Sequence, residues 1–106
     1  MRQASGIAAI VLAACAHATG AERQEVAPEV EGDGSSCEQP IVVQASSDRA
    51  ATRWEYEWLA KHYPNHSAVA QGLRDKAGRT YDELRFRDAA GREVFVCFDV
   101  THTFGT

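Results

Sequence analysis

Few side chains in this sequence could do acid–base chemistry, and they are widely spaced. Glu55 lies among aromatic residues of a predicted helix, where a carboxyl group deprived of water would have a raised pKa and could act as a general acid. Asp99 and His102 are the nearest acid–histidine pair, but side chains three residues apart on an extended strand point to opposite faces. An enzyme using Glu55, Asp99 or His102 is therefore the least favoured function that the sequence suggests.

A structural role for Glu55 is the simpler expectation. Burying an unpaired carboxylate is costly, so we expect its side chain to reach water at the rim of the helix or to pair with Arg79, Arg85 or Arg92. The sequence pattern places no second acid beside it. We therefore assign no catalytic residue and expect the chain not to be an enzyme.

Metal ligands are also poorly arranged. His62 and His66 have the spacing of a helical metal pair, but Pro64 and Asn65 lie between them and break the helix on which that spacing depends. No cysteine has a partner at C-x-x-C spacing. We expect no metal site and no cofactor.

The first residues have the layout of an export signal. Arg2 precedes the uncharged run Ile7 to Ala14, which is far shorter than the roughly 20 residues that a membrane-spanning helix needs. The run ends in Leu12-Ala13-Ala14-Cys15, which resembles the lipobox of bacterial lipoprotein precursors. The resemblance implies that residues 1–14 are a signal peptide and that Cys15 carries the lipid, palmitate included, that anchors the chain in the membrane.

The residue after the lipid-bearing cysteine carries information about location in this family. Ala16, which is not aspartate, implies the outer membrane of a two-membrane cell, with the chain facing the periplasm. A second cleavage pattern, Ala16-His17-Ala18, would instead release a soluble periplasmic or secreted protein that begins at Thr19. Both alternatives place the mature chain outside the cytoplasm.

The remaining cysteines form an even pair. Of three cysteines, Cys15 is lipidated or removed, which leaves Cys37 and Cys97 in a chain sent to an oxidising compartment. We expect a disulfide between them; two unrelated buried thiols are the alternative.

The residues that follow Cys15 predict a tether. From Ala16 to Ser36 the chain is acidic, contains glycine, proline and serine, and has almost no large apolar residue. Such a segment buries too little surface to offset its ordering entropy. We therefore divide the chain into the signal peptide, a disordered tether at 15–36 and one small domain at 37–106.

The domain is expected to be α+β, with one helix packed on a small antiparallel sheet. The predicted order is β-α-β-β-β, and the position of the first strand in the sheet is left open. Ser46 or Ser47 could cap the helix, and Pro64 ends it. The predicted elements are a strand at Ile41 to Ala45, a helix at Asp48 to His62, and strands at Val69 to Leu73, Thr80 to Arg87 and Glu93 to Thr101.

Alternation assigns faces to the last two strands. Leu84 and Phe86 share one face, and Val94, Val96, Phe98 and Val100 share the face that should contact the helix. Phe95, Cys97 and Asp99 then point away from the helix. This arrangement predicts that the disulfide lies on the far face of the sheet, beneath the N-terminal arm.

The helix has a wider apolar arc than one sheet usually covers. The arc contains Ala51, Thr52, Trp54, Tyr56, Trp58, Leu59 and Tyr63. One explanation is that all the aromatic side chains fill a small core. The alternative is that Trp54, Tyr56 and Trp58 leave a flank for a protein partner.

Three segments of the domain resemble small exported bacterial proteins of uncharacterised function. They are Tyr63-Pro64-Asn65 after Trp58-Leu59, Arg79-Thr80-Tyr81-Asp82, and Phe98-Asp99-Val100-Thr101 before Phe104-Gly105. This resemblance implies no particular activity.

Composition narrows the class of partner. The net charge is -4 and there is no basic patch, so we expect no nucleic-acid binding. The favoured function is a membrane-tethered cell-envelope lipoprotein of non-enzymatic binding or adaptor type, with an envelope protein as the possible partner. A small secreted inhibitor or immunity-type protein is the alternative. The sequence does not predict an oligomeric state.

Overall fold

The domain is a single helix packed on one face of a four-stranded mixed sheet. The computed structural model describes residues 26–103. Along the chain the elements are β1 (Ile41–Val42), α1 (Asp48–His62), β2 (Ser67–Lys76), β3 (Arg79–Arg87) and β4 (Glu93–Asp99). This order, β-α-β-β-β, is the one that the sequence predicts.

The sheet order corrects one expectation. The strands lie in the order β1-β4-β3-β2, with β3 antiparallel to both β2 and β4. The first strand pairs parallel to β4, Ile41 opposite Phe98, so the prediction of a fully antiparallel sheet is wrong at this edge. The helix α1 carries the chain from β1 back over the sheet to β2, and a crossover of this kind makes β1 and β2 run in the same direction. Because β3 is antiparallel to both β2 and β4, β4 also runs in that direction and pairs parallel with β1.

Local signals define the bounds of α1. The Ser47 side chain accepts a hydrogen bond from the Ala50 amide at 3.1 Å, which makes Ser47 the N-cap. The helix ends at His62, two residues before Pro64, as the steric restriction on residues before proline predicts. Its buried stripe is Ala51, Glu55 and Leu59.

Two apolar clusters lie on the two faces of the sheet. The cluster under α1 contains Ile41, Val43, Ala51, Leu59, Leu84, Phe86, Val96, Phe98 and Val100. The opposite cluster contains Cys37, Tyr81 and Cys97, with Phe95 packed against it. The Cys37–Cys97 disulfide is formed, which confirms the predicted pairing and the predicted face.

The N-terminal segment 26–36 differs from the predicted tether. It lies against the sheet: the Ala27 amide donates to Ala77 O at 2.8 Å, and the Cys97 amide donates to Gly34 O at 2.9 Å. Backbone hydrogen bonds of this kind leave no trace in composition, which is why the acidic, weakly apolar sequence predicted disorder here. The remainder of the predicted tether and the signal region lie outside the described residues.

Arg79 fastens this segment to the domain. Its guanidinium is buried, pairs with Asp99 at 2.7 Å and donates to Ala27 O at 3.3 Å. Glu29 lies 3.5 Å from the same guanidinium and 2.6 Å from His102 Nε2. These contacts place Asp99 and His102 in a structural network beside the N-terminal segment.

Candidate functional site

Glu55 is turned into the protein and not toward water. It lies between Ala51 and Leu59 on the buried stripe of α1, and its side chain is 1% exposed. The expectation that it reaches water at the helix rim is wrong. Its hydrogen-bonding neighbour is another acid, Asp82, and not one of the arginines proposed from the sequence.

Asp82 reaches Glu55 because of its place in β3. Side chains alternate along a strand, so Asp82 shares the helix-facing side with Leu84 and Phe86. It is 3% exposed. The Gln71 side chain donates to Asp82 Oδ2 at 2.7 Å, and the Tyr56 hydroxyl donates to Gln71 Oε1 at 3.2 Å.

The Glu55 carboxyl group keeps its proton near neutral pH. Burial, the hydrogen bond with Asp82 and the negative charge of Asp82 raise the pKa of Glu55 from 4.5 to about 10. A hydrogen bond between two carboxyl groups requires a proton on one of them, so Glu55 is the protonated member near neutral pH. No other donor among the described residues reaches Glu55 Oε1 or Asp82 Oδ1.

A small cavity lies over this acid pair. Its volume is about 130 Å³, and its lining residues are Asp48, Ala51, Thr52, Glu55, Gln71, Leu73, Asp82, Val100 and Thr103. No lysine, arginine or histidine is among these lining residues. The cavity can hold a proton on its carboxyl groups or stabilise positive charge, but it brings together no nucleophile–histidine pair.

The other acid and histidine of the enzyme hypothesis lie elsewhere. Burial alone would favour the neutral form of Asp99, but hydrogen bonds from Thr101 and Arg79 outweigh it and lower the pKa of Asp99. His102 pairs with Glu29 at the surface. Neither residue lines the cavity over Glu55.

The predicted partner-binding residues occupy two flanks of α1. Trp54 and Trp58 lie on one flank, and both rings meet Phe98 edge-on, with centroids 6.1 and 5.5 Å away. Tyr56 lies on the other flank, beside Gln71 of β2. Trp54 is 37% exposed and Tyr56 is 38% exposed. Because the two rings lie on opposite flanks of α1, the aromatic surface predicted from the sequence is divided into two separate surfaces.

The histidines that bracket Pro64 do not converge. His62 Nδ1 lies 3.0 Å from Trp58 O, and His66 Nδ1 lies 2.8 Å from Tyr63 O. Each ring is thus held by a nearby backbone carbonyl. Within residues 26–103, no group of three or more histidine, cysteine, aspartate or glutamate side chains could hold a metal ion.

Asp82 is a site residue that the sequence analysis did not identify. The signal was present, since the same two-residue alternation that assigns Leu84 and Phe86 to the core assigns Asp82 to that face. Cys15, the predicted lipidation site, lies outside the described residues.

Comparisons with protein-family models, curated proteins and solved structures found no match to this chain. In the part of the chain that the structure describes, no helix is long and apolar enough to cross a membrane.

Proposed function

We propose that this chain is a lipid-anchored protein of the bacterial cell envelope that binds a partner protein and has no enzymatic activity. The lipobox-like run ending at Cys15 supports the anchor. The Cys37–Cys97 disulfide fits a compartment outside the cytoplasm, because disulfides persist where the environment is oxidising. The outer membrane, with the domain facing the periplasm, is the location that Ala16 favours.

The observation that carries the binding function is the tryptophan flank of α1. We use this name for the shallow depression lined by Trp54, Glu57, Trp58, Lys61 and His62. The Trp58 ring stacks on His62 with centroids 4.2 Å apart, while Phe98 supports both indole rings from below. Tryptophans held in place before binding and bordered by charged residues are typical of the energetic centre of a protein interface.

Two matched variants test this flank. A photo-crosslinking residue at position 57 should capture an envelope protein in intact cells, whereas the same residue at Lys76, beside the N-terminal segment, should not. Trp54→Ala should lower the crosslinking yield by about tenfold or more, as loss of an interface anchor does. Tyr56→Ala removes an equally exposed aromatic ring from the opposite flank and should leave the yield unchanged. Equal losses in both variants would contradict the assignment to this flank.

The anchor is tested separately. Labelled palmitate should enter the wild-type chain and should fail to enter Cys15→Ser. The variant should then be recovered in the soluble fraction. Equal labelling of both chains would show that Cys15 is not the lipidated residue, and absence of label from the wild type would favour the soluble, secreted alternative.

A further inference from the structure

We infer that the cavity over Glu55 and Asp82 is a binding site for an organic cation: an ammonium or guanidinium group carried on an aliphatic stem. This site lies on the Tyr56 side of α1, away from the tryptophan flank. It therefore does not depend on the proposed function, and either proposal can fail alone.

The first argument is the state of the two buried acids. Glu55 and Asp82 are 1% and 3% exposed, and Glu55 Oε1 and Asp82 Oδ1 receive no hydrogen bond from any other donor among the described residues. A carboxyl oxygen can accept more than one hydrogen bond, so the contact between the two acids leaves buried acceptor capacity unused. Both side chains line the cavity, so a donor held there lies beside the two acids.

The second argument is charge. Glu55 faces the cavity from α1, and Asp82 faces it from β3; Asp48, at the start of α1, also lines the cavity but has an interaction of its own. The side chains contributed by β2 are Gln71 and Leu73, and Val100 and Thr103 follow β4; none of these carries a charge. Attraction between charges is strong where protein excludes water, so this cavity favours cations.

The third argument is the shape and polarity of the walls. Ala51, Leu73 and Val100 supply apolar surface above the acids. Leu73 is 58% exposed and thus lies at the opening. A lysine or arginine side chain has the matching form, with apolar methylene groups and a charged head. The volume of about 130 Å³ is enough for such a head group, since one water molecule needs only ~10–15 Å³ by the same measure.

Binding would exchange one cation for one proton. In the free protein Glu55 is protonated and hydrogen-bonded to Asp82. An arriving cation donates hydrogen bonds to both groups, and the proton leaves to solvent. The net charge of the site is the same before and after this exchange. Affinity for the cation should therefore rise with pH, and binding should release a proton.

The test is a titration of the full disulfide-bonded chain with three probes of similar shape. Butylammonium and butylguanidinium carry the charge, and butylurea is the neutral analogue. At least one of the two cations should bind saturably, shift the carboxyl ¹³C resonances of Glu55 and Asp82, and release a proton. Butylurea should do none of these. Equal binding of butylurea, or absence of saturable binding by both cations, would refute the proposal.

Variants that each remove one carboxyl group locate the site. Glu55→Gln and Asp82→Asn should each lower the cation association constant by about tenfold or more. Glu38→Gln removes a charge that lies next to Lys76 and does not line this cavity, and it should bind like the wild type. A uniform loss across all three variants would mean that the probes respond only to overall charge, and the proposal would be wrong.

A variant that adds a cation at the cavity keeps the proposal testable if the carboxyl-removing variants fail to fold. Leu73→Lys alters a largely exposed residue at the cavity opening and offers an ammonium group in cis. It should fold, lose probe binding and melt at a higher temperature than the wild type at pH 8. Unchanged probe binding in a folded Leu73→Lys would overturn the proposal.

Further probes identify the source of the cation. Lysine and arginine blocked at both termini mimic side chains of a protein partner, whereas the butyl cations mimic small molecules. Binding of a blocked amino acid would indicate a partner's side chain, and binding of the free cations alone would indicate a small amine or guanidine. Tighter binding of Ca²⁺ than of any organic cation would refute the assigned ligand class.

Discussion

At the residue scale, the unusual feature is an acid pair inside a small apolar core. Glu55 occupies the same buried stripe as Ala51 and Leu59, positions at which apolar side chains are the norm. An ionised pair here would combine a desolvation cost with repulsion between like charges. The proton on Glu55 removes the repulsion and the desolvation cost of one of the two charges, so in the free protein this proton stabilises the pair.

This proton makes stability depend on pH. The pKa of Glu55 is raised in the folded protein, so between pH 4.5 and about 10 the folded state binds a proton that the unfolded state has released. Its contribution is complete below pH 4.5 and is lost as the pH rises toward 10. The free energy of unfolding should therefore fall as the pH rises through this range.

Glu55→Gln isolates this effect. Glutamine keeps the shape and a hydrogen-bond donor toward Asp82 but cannot ionise. Urea unfolding at pH 5 and pH 8 should show the variant gaining stability relative to the wild type at the higher pH. Glu57→Gln, on the exposed side of the same helix, should keep the wild-type slope. A wild-type slope in Glu55→Gln would show that another group causes the dependence.

Only half of this pair could be predicted from the sequence. Glu55 was recognisable as a carboxyl group inside an apolar arc, and the alternation through Leu84 and Phe86 could have extended to Asp82. The meeting of the two depends on how α1 lies across β3. No local pattern encodes that placement, because it follows from the packing of the whole core.

At the element scale, local sequence signals predicted the ends of the helix but not the contacts between distant segments. The bounds of α1 match the prediction because Ser47 and Pro64 act within a few residues of the ends of the helix. The pairing of β1 with β4 and the docking of 26–36 depend on contacts between distant parts of the chain. Gly34 is a residue whose role in docking this segment was missed. Its φ is +86°, and a Cβ there would come within 2.8 Å of Ile41 Cδ1, so this position of the docked segment requires glycine.

The cap of α1 provides the prediction at this scale. Ser47→Ala removes the acceptor for the Ala50 amide and should lower the free energy of unfolding by about 1 kcal/mol. Ser47→Asp keeps an acceptor and adds a charge that favours the helix N-terminus, so it should retain wild-type stability. Chemical denaturation of the three proteins at pH 7 measures both effects. Equal losses in Ala and Asp would show that the Ser47 hydroxyl makes some other contact.

At the scale of the whole molecule, the sheet is covered on both faces by different means. The helix covers one face with an apolar core, whereas the disulfide, Tyr81 and the N-terminal segment cover the other. A domain this small buries little surface, so covalent and ionic fastening have more weight than in a larger protein. Arg79 and the Cys37–Cys97 bond fasten the same N-terminal part of the chain to the same side of the sheet.

Removing the disulfide should therefore have a global and a local effect. The bond joins residues 60 positions apart, and a loop of this length is worth about 4 kcal/mol in the chain-entropy model. Cys37→Ala with Cys97→Ala should lower the free energy of unfolding by about that amount, and reductant should change the variant no further. Equal stability of the oxidised and reduced wild type would contradict this expectation.

The local effect can be followed at one amide. The Cys97 N–H donates to Gly34 O at 2.9 Å, so its hydrogen exchange reports whether the N-terminal segment stays docked. In the double alanine variant the exchange of residue 97 should accelerate more than that of Leu84, which lies in the core beneath α1. If both amides accelerate equally, the disulfide stabilises the domain as one unit. A larger change at residue 97 would show that the bond holds the N-terminal segment on the sheet, and that Arg79 alone is not sufficient.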